Sequence, residues 1–165
     1  KLDAIRGIHL ARLYEQAKKE AVEEFEQFKF HPLFTAGISV YWGEGDRATR
    51  NQVRISNIDP MMIRLFVDFL RIICGVPSNR IRGHILIYPD LKEVECRTYW
   101  VKESTLADHN FTRCVLIKGK HKTKRVKYGV CTVGLSSTYL KQKMSIWLDL
   151  LPKELVSKKY YLSVD

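Results

Sequence analysis

One acidic residue, Glu44, stands where its side chain could take part in chemistry. It is flanked by Gly43 and Gly45 and follows the apolar stretch LFTAGISVYW, which begins at Leu33 and predicts a buried helix. Gly45 suits the left-handed residue that often ends a helix. A carboxylate at a helix C-terminus is unfavourable, because the helix dipole places partial negative charge there. The position therefore favours a functional role for Glu44; the plainer alternative is a core helix with an ordinary acidic last turn.

Small residues on the same helix predict a close contact with a second helix. Ser39 and Gly43 are four residues apart and share a face, which Ala36 and Gly37 extend. A second copy of this helix is the simplest partner, so we expect a homodimer. Two Glu44 carboxylates would then lie close together and repel, unless a divalent cation such as Mg²⁺ lay between or beside them. The residues predicted for the dimer interface are Gly37, Ser39, Val40 and Gly43.

A basic run near the other end of the chain predicts an anionic partner. In KGKHKTKRVK, residues 118–127, seven of the ten residues are basic or histidine. Residues 117–165 carry 11 basic and 3 acidic residues, whereas residues 1–32 carry six of each. Charges this dense repel one another unless they meet phosphates, and a solvated loop tip is the alternative. The residues of this run predicted to contact DNA are Lys118, Lys120, His121, Lys122, Lys124, Arg125 and Lys127.

Two predicted strands add polar side chains that can meet the same partner. After the polar turn that holds Arg47 and Arg50, the segment NQVRISN alternates between buried and solvated positions. Arginine and glutamine can read base edges through paired hydrogen bonds, although they also occur on any solvated strand. The outward residues predicted to contact DNA are Gln52, Arg54 and Ser56 on the first strand and Arg80, Arg82 and His84 on the next.

The order of elements predicts an α+β fold. Helices are predicted over 3–28, 33–43, 60–75, 90–105 and from a cap at Ser136 or Ser137 to Pro152, and strands over 51–57, 80–88, 111–117 and 125–133. The last two strands are expected to form a hairpin around the basic run. We expect an antiparallel sheet with helices on one face. The predicted organisation is an N-terminal helical extension at 1–32, a main domain at 33–155 and a C-terminal tail at 156–165.

The stretch GISVYWGEG, residues 37–45, resembles the LAGLIDADG motif of homing endonucleases. Glu44 then stands in the place of the metal-binding acid, and Ser39 and Gly43 in the place of the small residues at the helix crossing. The segment VRISNIDPMMIRLFVDFLR, a strand followed by a capped helix, strengthens the resemblance, which covers about residues 33–151.

The resemblance implies a saddle-shaped sheet on the DNA major groove, a homodimer paired through the motif helices, and Mg²⁺-dependent cleavage of both strands. Glu44 and Gly43 would provide the metal site, and Lys118, Arg125 or Lys127 would offset charge at the reacting phosphate. The sequence departs from the family in carrying Glu in place of the commoner Asp and one clear strand after the motif, where two are usual. Related proteins bind DNA without cutting it.

The favoured prediction is therefore a homodimeric, Mg²⁺-dependent endonuclease for specific duplex DNA. The alternatives are a DNA-binding regulator that does not cleave and a basic module that binds proteins or membrane surfaces.

No P-loop, G-x-S-x-G, H-E-x-x-H or dinucleotide fingerprint points to another enzyme class. No apolar run approaches the roughly 18 residues of a membrane span. The four cysteines are far apart in the sequence, which predicts buried free thiols in a reducing cytoplasm. They are Cys74, Cys96, Cys114 and Cys131. Since the chain begins at Lys1, we expect a processed product or a fragment.

Overall fold

A computed structural model describes residues 2–117 and 126–157, with side chains from residue 7 onward. The helices are α1 (Leu2–Phe28), α2 (Pro32–Glu44), α3 (Pro60–Asp68), α4 (Glu93–Ser104) and α5 (Thr138–Val156). The strands are β1 (Gln52–Asn57), β2 (Arg82–Ile87), β3 (Val115–Leu116) and β4 (Val130–Ser136). The α+β class is confirmed.

Local signals set the beginnings of three helices. The His31 side chain accepts a hydrogen bond from the Leu33 amide at 3.2 Å, and Pro32 fills the first position of α2. Asp59 caps α3 in the same way through the Met61 amide at 2.8 Å. Ser137 caps α5 through the Leu140 amide at 3.2 Å. These starts are the ones that the sequence predicts.

The sheet is mixed rather than antiparallel, with the strand order β1-β4-β2-β3. β4 pairs antiparallel with β1 and β2, but β3 pairs parallel with β2. The predicted hairpin of the third and fourth strands is therefore wrong, because β2 lies between them. The described part of β3 is also only two residues long, and the basic residues 118–125 lie outside the described residues.

One face of the sheet carries the core. Val53, Ile55, Ile85 and Val133 are fully or almost fully buried on that face. α3 packs on β1 and β4, and α4 packs on β2. None of the helices in the described residues covers the other face of the sheet, which carries Arg54 on β1 and is called the open face below.

The second half of α1 belongs to the same core. Ala21 is fully buried and Phe25 is 2% exposed. The Trp147 indole of α5 donates to the Ala21 carbonyl at 2.9 Å, and the buried Lys143 ammonium lies 2.5 Å from Glu24. The structure thus ties α1 to the main domain through α5.

Several predicted element ends differ in the structure. β4 spans Val130–Ser136 rather than 125–133. α4 begins at Glu93 rather than Asp90. Arg80 lies in a short 3₁₀ turn before β2, not on the strand. α5 continues through Pro152, since one missing amide removes only one bond and Leu151 beside it is buried against the core. After α3 the chain forms a π turn, Phe69–Ile73, before Gly75 at φ 62°.

Candidate nucleic-acid interface

The end of α2 is attached directly to the edge of the sheet. Glu44 is the last helical residue, Gly45 forms an antiparallel bridge with Ile55, and the Asp46 amide donates to the Arg54 carbonyl at 3.0 Å. Gly45 has φ −77° and ψ 143°, so the predicted left-handed cap is wrong. This position needs glycine for another reason, because a Cβ would lie 2.3 Å from the Tyr41 carbonyl oxygen. The helix thereby delivers Glu44 to the rim of the open face.

A cleft of about 520 Å³ crosses the open face from this rim. It runs over all four strands, from the acidic end of α2 to the apolar edge strand β3. Its lining residues are Glu44, Gly45 and Asp46, then Arg54 and Ser56 of β1, Thr132 of β4, His84 and Leu86 of β2, and Val115 of β3. The structure thus brings Glu44 together with three of the predicted contact residues, Arg54, Ser56 and His84, in one concave surface.

Asp46 organises the polar end of the cleft. Its Oδ1 accepts from the amides of Ala48 and Thr49 at 3.0 and 3.1 Å, and its Oδ2 accepts from Thr49 Oγ1 at 3.0 Å. Arg54 donates to Oδ2 from Nε and Nη2, both at 2.8 Å. Burial alone would raise the pKa of Asp46, but the hydrogen bonds from Thr49 and Arg54 outweigh it and lower that pKa. Asp46 is therefore an ionised anchor for Arg54.

The turn after α2 is also held from the helical side. The Tyr41 hydroxyl donates to the Asp46 carbonyl at 2.9 Å. Lys141 of α5 donates to the Tyr41 hydroxyl at 2.8 Å and to the same carbonyl. Burial raises the pKa of Tyr41 to about 12. These contacts fix the segment that follows Glu44.

The middle of the cleft is polar but carries little charge. Ser56 and Thr132 share a hydrogen bond at 2.7 Å between neighbouring strands. His84 Nδ1 lies 2.7 Å from the Thr112 hydroxyl. Burial, helped by the positive charge of Arg54, lowers the pKa of His84 and favours its neutral form near pH 7. This surface can therefore exchange hydrogen bonds with a polar partner.

Other predicted contact residues lie outside the cleft. Arg47 donates to the Trp42 carbonyl at 2.6 Å, and Arg50 is exposed on the turn beyond it. Arg82 is on the open face but donates to the Asn79 and Ile81 carbonyls at 2.6 and 3.2 Å. Gln52 donates to the Ser136 hydroxyl at 3.1 Å. Of the predicted contact residues in the basic run, only Lys127, which is exposed, is among the described residues.

The predicted dimer face of α2 is available only in part. Ser39 and Gly43 are exposed, and nothing lies within 4 Å of a Cβ built on Gly43. Val40 is half-buried against the core. Gly37, in contrast, faces inward, where a Cβ would lie 2.2 Å from the Phe69 ring. Gly37 is therefore a contact within the chain and not part of an outer interface.

Sequence reasoning missed several cleft residues. Asp46 was passed over, although GDRAT has the spacing of an Asx turn in which Asp46 accepts from residues two and three positions on. Thr132, Leu86 and Val115 reach the cleft through pairings between distant strands, which no local pattern specifies. Trp42 is 45% exposed beside the outer face of α2.

Glu44 is exposed and, among the described residues, forms no hydrogen bond or ion pair. Within residues 2–117 and 126–157, no three His, Cys, Asp or Glu side chains cluster as metal ligands would. The four cysteines are free, but only Cys96 and Cys131 are buried as predicted, whereas Cys74 and Cys114 are half-buried. None of the helices in these ranges has the length and apolarity needed to span a membrane.

Comparison with known proteins adds no family. No protein-family model matches the chain, and neither a curated protein nor a solved structure matches it. The resemblance of GISVYWGEG to the LAGLIDADG motif therefore stays a prediction from the sequence.

Proposed function

We propose that this chain binds duplex DNA on the open face of its sheet and cleaves it as an Mg²⁺-dependent homodimer of the LAGLIDADG type. The observation that carries the proposal is the position of Glu44. Its carboxylate, which has no partner among the described residues, ends α2 at the rim of the same cleft that holds Arg54, Ser56 and His84. A free carboxylate at this place would hold a divalent ion next to a phosphodiester bound on the cleft, and such an ion would activate water for hydrolysis.

The groups on the open face support the proposal of duplex binding. Arg54, Ser56, His84 and Thr132 present hydrogen-bonding groups, while Leu86 and Val115 present apolar ones. A major groove offers both kinds of partner, since base edges carry donors, acceptors and the thymine methyl group. Lys127 and the rest of the basic run would add phosphate contacts. Each such contact adds about −0.9 to the slope of log affinity against log salt concentration, so binding weakens as salt rises.

The donor set fits Mg²⁺ as one carboxylate per chain. Mg²⁺ is commonly held by one or two carboxylates together with substrate phosphates and water. Glu44 is exposed and unpaired among the described residues, whereas Asp46 is already occupied by Arg54 and Thr49. Glu44 would hold the ion, which supplies an activated water and stabilises charge on the phosphate. Lys118, Arg125 or Lys127 would offset the remaining charge.

A Glu44→Gln variant tests cleavage directly. Incubation of the full chain with a random duplex library and Mg²⁺, followed by sequencing of the cut ends, identifies the site. On that site we expect Glu44→Gln to abolish cleavage and to bind duplex as tightly as wild type or more tightly, because it removes a negative charge near phosphates. Glu23→Gln, an exposed acid on α1, is the matched control and should cut normally. Cleavage by Glu44→Gln at the wild-type rate would overturn the metal assignment.

A DNA-binding regulator without cleavage is the second candidate. It is favoured by one observation, the lack of a three-ligand metal cluster within the described residues of one chain. Salt-dependent duplex binding without cut ends in Mg²⁺ would select it. A salt slope near zero would instead favour a module that binds proteins or membrane surfaces.

A further inference from the structure

Arg54 is held on one edge by Asp46. Its Nε and Nη2 atoms each lie 2.8 Å from Asp46 Oδ2, so both contacts use the same edge of the planar guanidinium group. Asp46 is itself fixed by the two amides and the hydroxyl of Ala48 and Thr49. Rotation of Arg54 would break charge-assisted hydrogen bonds, which are about twice as strong as neutral ones. The guanidinium therefore has a preset direction.

The other end of the guanidinium remains available. Arginine has five N–H donors in a rigid fork, and Asp46 uses the pair on the Nε side. Nη1 forms no hydrogen bond with the residues that the structure describes, and the side chain is 43% exposed on the cleft. Gly134 on the neighbouring strand leaves room for it, since a Cβ there would lie 2.5 Å from Arg54 Cβ. Arg54 thus presents two roughly parallel donors, on Nη1 and Nη2, away from Asp46.

We propose that Arg54, oriented by Asp46, reads a guanine in the major groove. Guanine presents two adjacent acceptors there, O6 and N7, which match the free end of the fork. This inference rests on the proposed DNA binding. A backbone phosphate is the other acceptor of suitable geometry. The Asp46–Arg54 pair, however, has no net charge, so a phosphate contact by Arg54 would gain little affinity from counterion release. The fixed direction of the Arg54 donors favours an acceptor pair in one defined place. Directional base reading is therefore favoured over phosphate contact.

Arg82 provides a contrast on the same face. Arg82 on β2 and Arg54 on β1 both pair with Gly134 of β4, one from each side. Its Nη1 donates to the Asn79 and Ile81 carbonyls, so its fork is turned onto the backbone, and no carboxylate among the described residues orients it. Arg82 therefore lacks the preset direction that Asp46 gives to Arg54.

The test is a selection of duplexes from a random library by the full chain, with Ca²⁺ in place of Mg²⁺. We expect one guanine position whose replacement lowers affinity roughly 5- to 150-fold. Arg54→Lys keeps the charge but loses the fork, and should remove the preference at that position while leaving the other positions unchanged. Arg12→Lys changes an exposed arginine on α1, away from the sheet, and should leave every preference unchanged.

Asp46→Asn tests the positioning role. Asparagine can accept from the same turn amides but cannot form the ion pair, so the guanine preference should weaken at that one position. Melting temperature shows whether the variant is folded; if it is not, Arg54→Lys decides. An unchanged preference in folded Asp46→Asn would overturn the role of Asp46.

Two further outcomes separate the inference from the function on which it rests. A selected site that lacks an Arg54-dependent guanine, or an Arg54→Lys variant that loses affinity equally at all positions, would overturn base reading and leave DNA binding intact. Absence of any duplex binding would overturn the proposed function and this inference together.

Discussion

At the scale of single residues, the two glycines that flank Glu44 have different physical requirements. A Cβ on Gly45 would lie 2.3 Å from the Tyr41 carbonyl oxygen, whereas nothing lies within 4 Å of a Cβ on Gly43. We expect Gly45→Ala to lower the free energy of unfolding by roughly 1–3 kcal/mol, as overpacking does. Gly43→Ala should raise it by about 0.5–1 kcal/mol in the monomer, because alanine favours the helix. Urea unfolding measures both free-energy changes. If Gly45→Ala and Gly43→Ala changed the free energy of unfolding equally, the close approach of Gly45 to Tyr41, and with it the bridge to Ile55, would be contradicted.

The sequence alone shows that Glu44 lies between two glycines, but not why Gly45 is required. A left-handed helix end is the usual reason and was predicted. The observed reason is the bridge to Ile55, ten residues further on, which forces extended backbone against Tyr41. The role of Asp46 is hidden for the same reason, because Arg54 reaches it only after β1 has folded back. Contacts made by tertiary structure are invisible to local patterns.

Asp46 also predicts a pH dependence of stability. Its pKa is lower in the folded protein than the ordinary value, mainly because Thr49 and Arg54 stabilise the carboxylate against the opposing effect of burial. The stability that it contributes is therefore present above about pH 4 and is lost as the pH falls through the lowered pKa. We expect wild type to be more stable than Asp46→Asn at pH 7 and the difference to shrink below pH 4. Thermal melts across this range measure it, and a constant difference would contradict the ionised anchor.

At the scale of elements, the packing of α1 on α5 predicts a contrast between neighbouring positions. Ala21 is fully buried beside Trp147, whereas Val22 is 44% exposed. We expect Ala21→Leu to cost roughly 1–3 kcal/mol through overpacking, and Val22→Leu to stay within about 0.5 kcal/mol of wild type. For a chain of this size, 1 kcal/mol shifts the melting temperature by about 2–4 °C. Equal melting temperatures for the two variants would show that α1 does not dock on α5.

Elements with strong local signals could be predicted from the sequence, and those that depend on distant pairing could not. Alternation places Val53 and Ile55 inward on β1, and Asp59 with Pro60 fixes the start of α3. The third and fourth strands, in contrast, are predicted to form a hairpin because they are neighbours along the chain. β2 pairs with both strands and separates them, and a parallel β2–β3 pair leaves no short-range signature.

At the scale of the whole molecule, Glu44 lies where two free surfaces meet. The open sheet face begins on one side of it, and the outer face of α2, with Ser39 and Gly43, continues on the other. If α2 pairs with its copy, two clefts adjoin and both Glu44 carboxylates lie near the two-fold axis. Dimerisation and DNA cleavage would then depend on the same helix end, so one substitution on the outer face of α2 should affect both.

Gly43→Leu is the variant that tests this dependence. Wild type is expected to sediment as a dimer at micromolar concentration, and Gly43→Leu as a monomer, because the larger side chain blocks close approach of two helices. Its monomer should remain folded, since none of the described residues lies within 4 Å of a Cβ at this position. Gly7→Leu is the matched control, because Gly7 is equally open but lies on α1, and it should remain dimeric. Duplex cleavage should be lost together with the dimer. A wild-type monomer, or a Gly43→Leu dimer that still cuts both strands, would contradict pairing through α2.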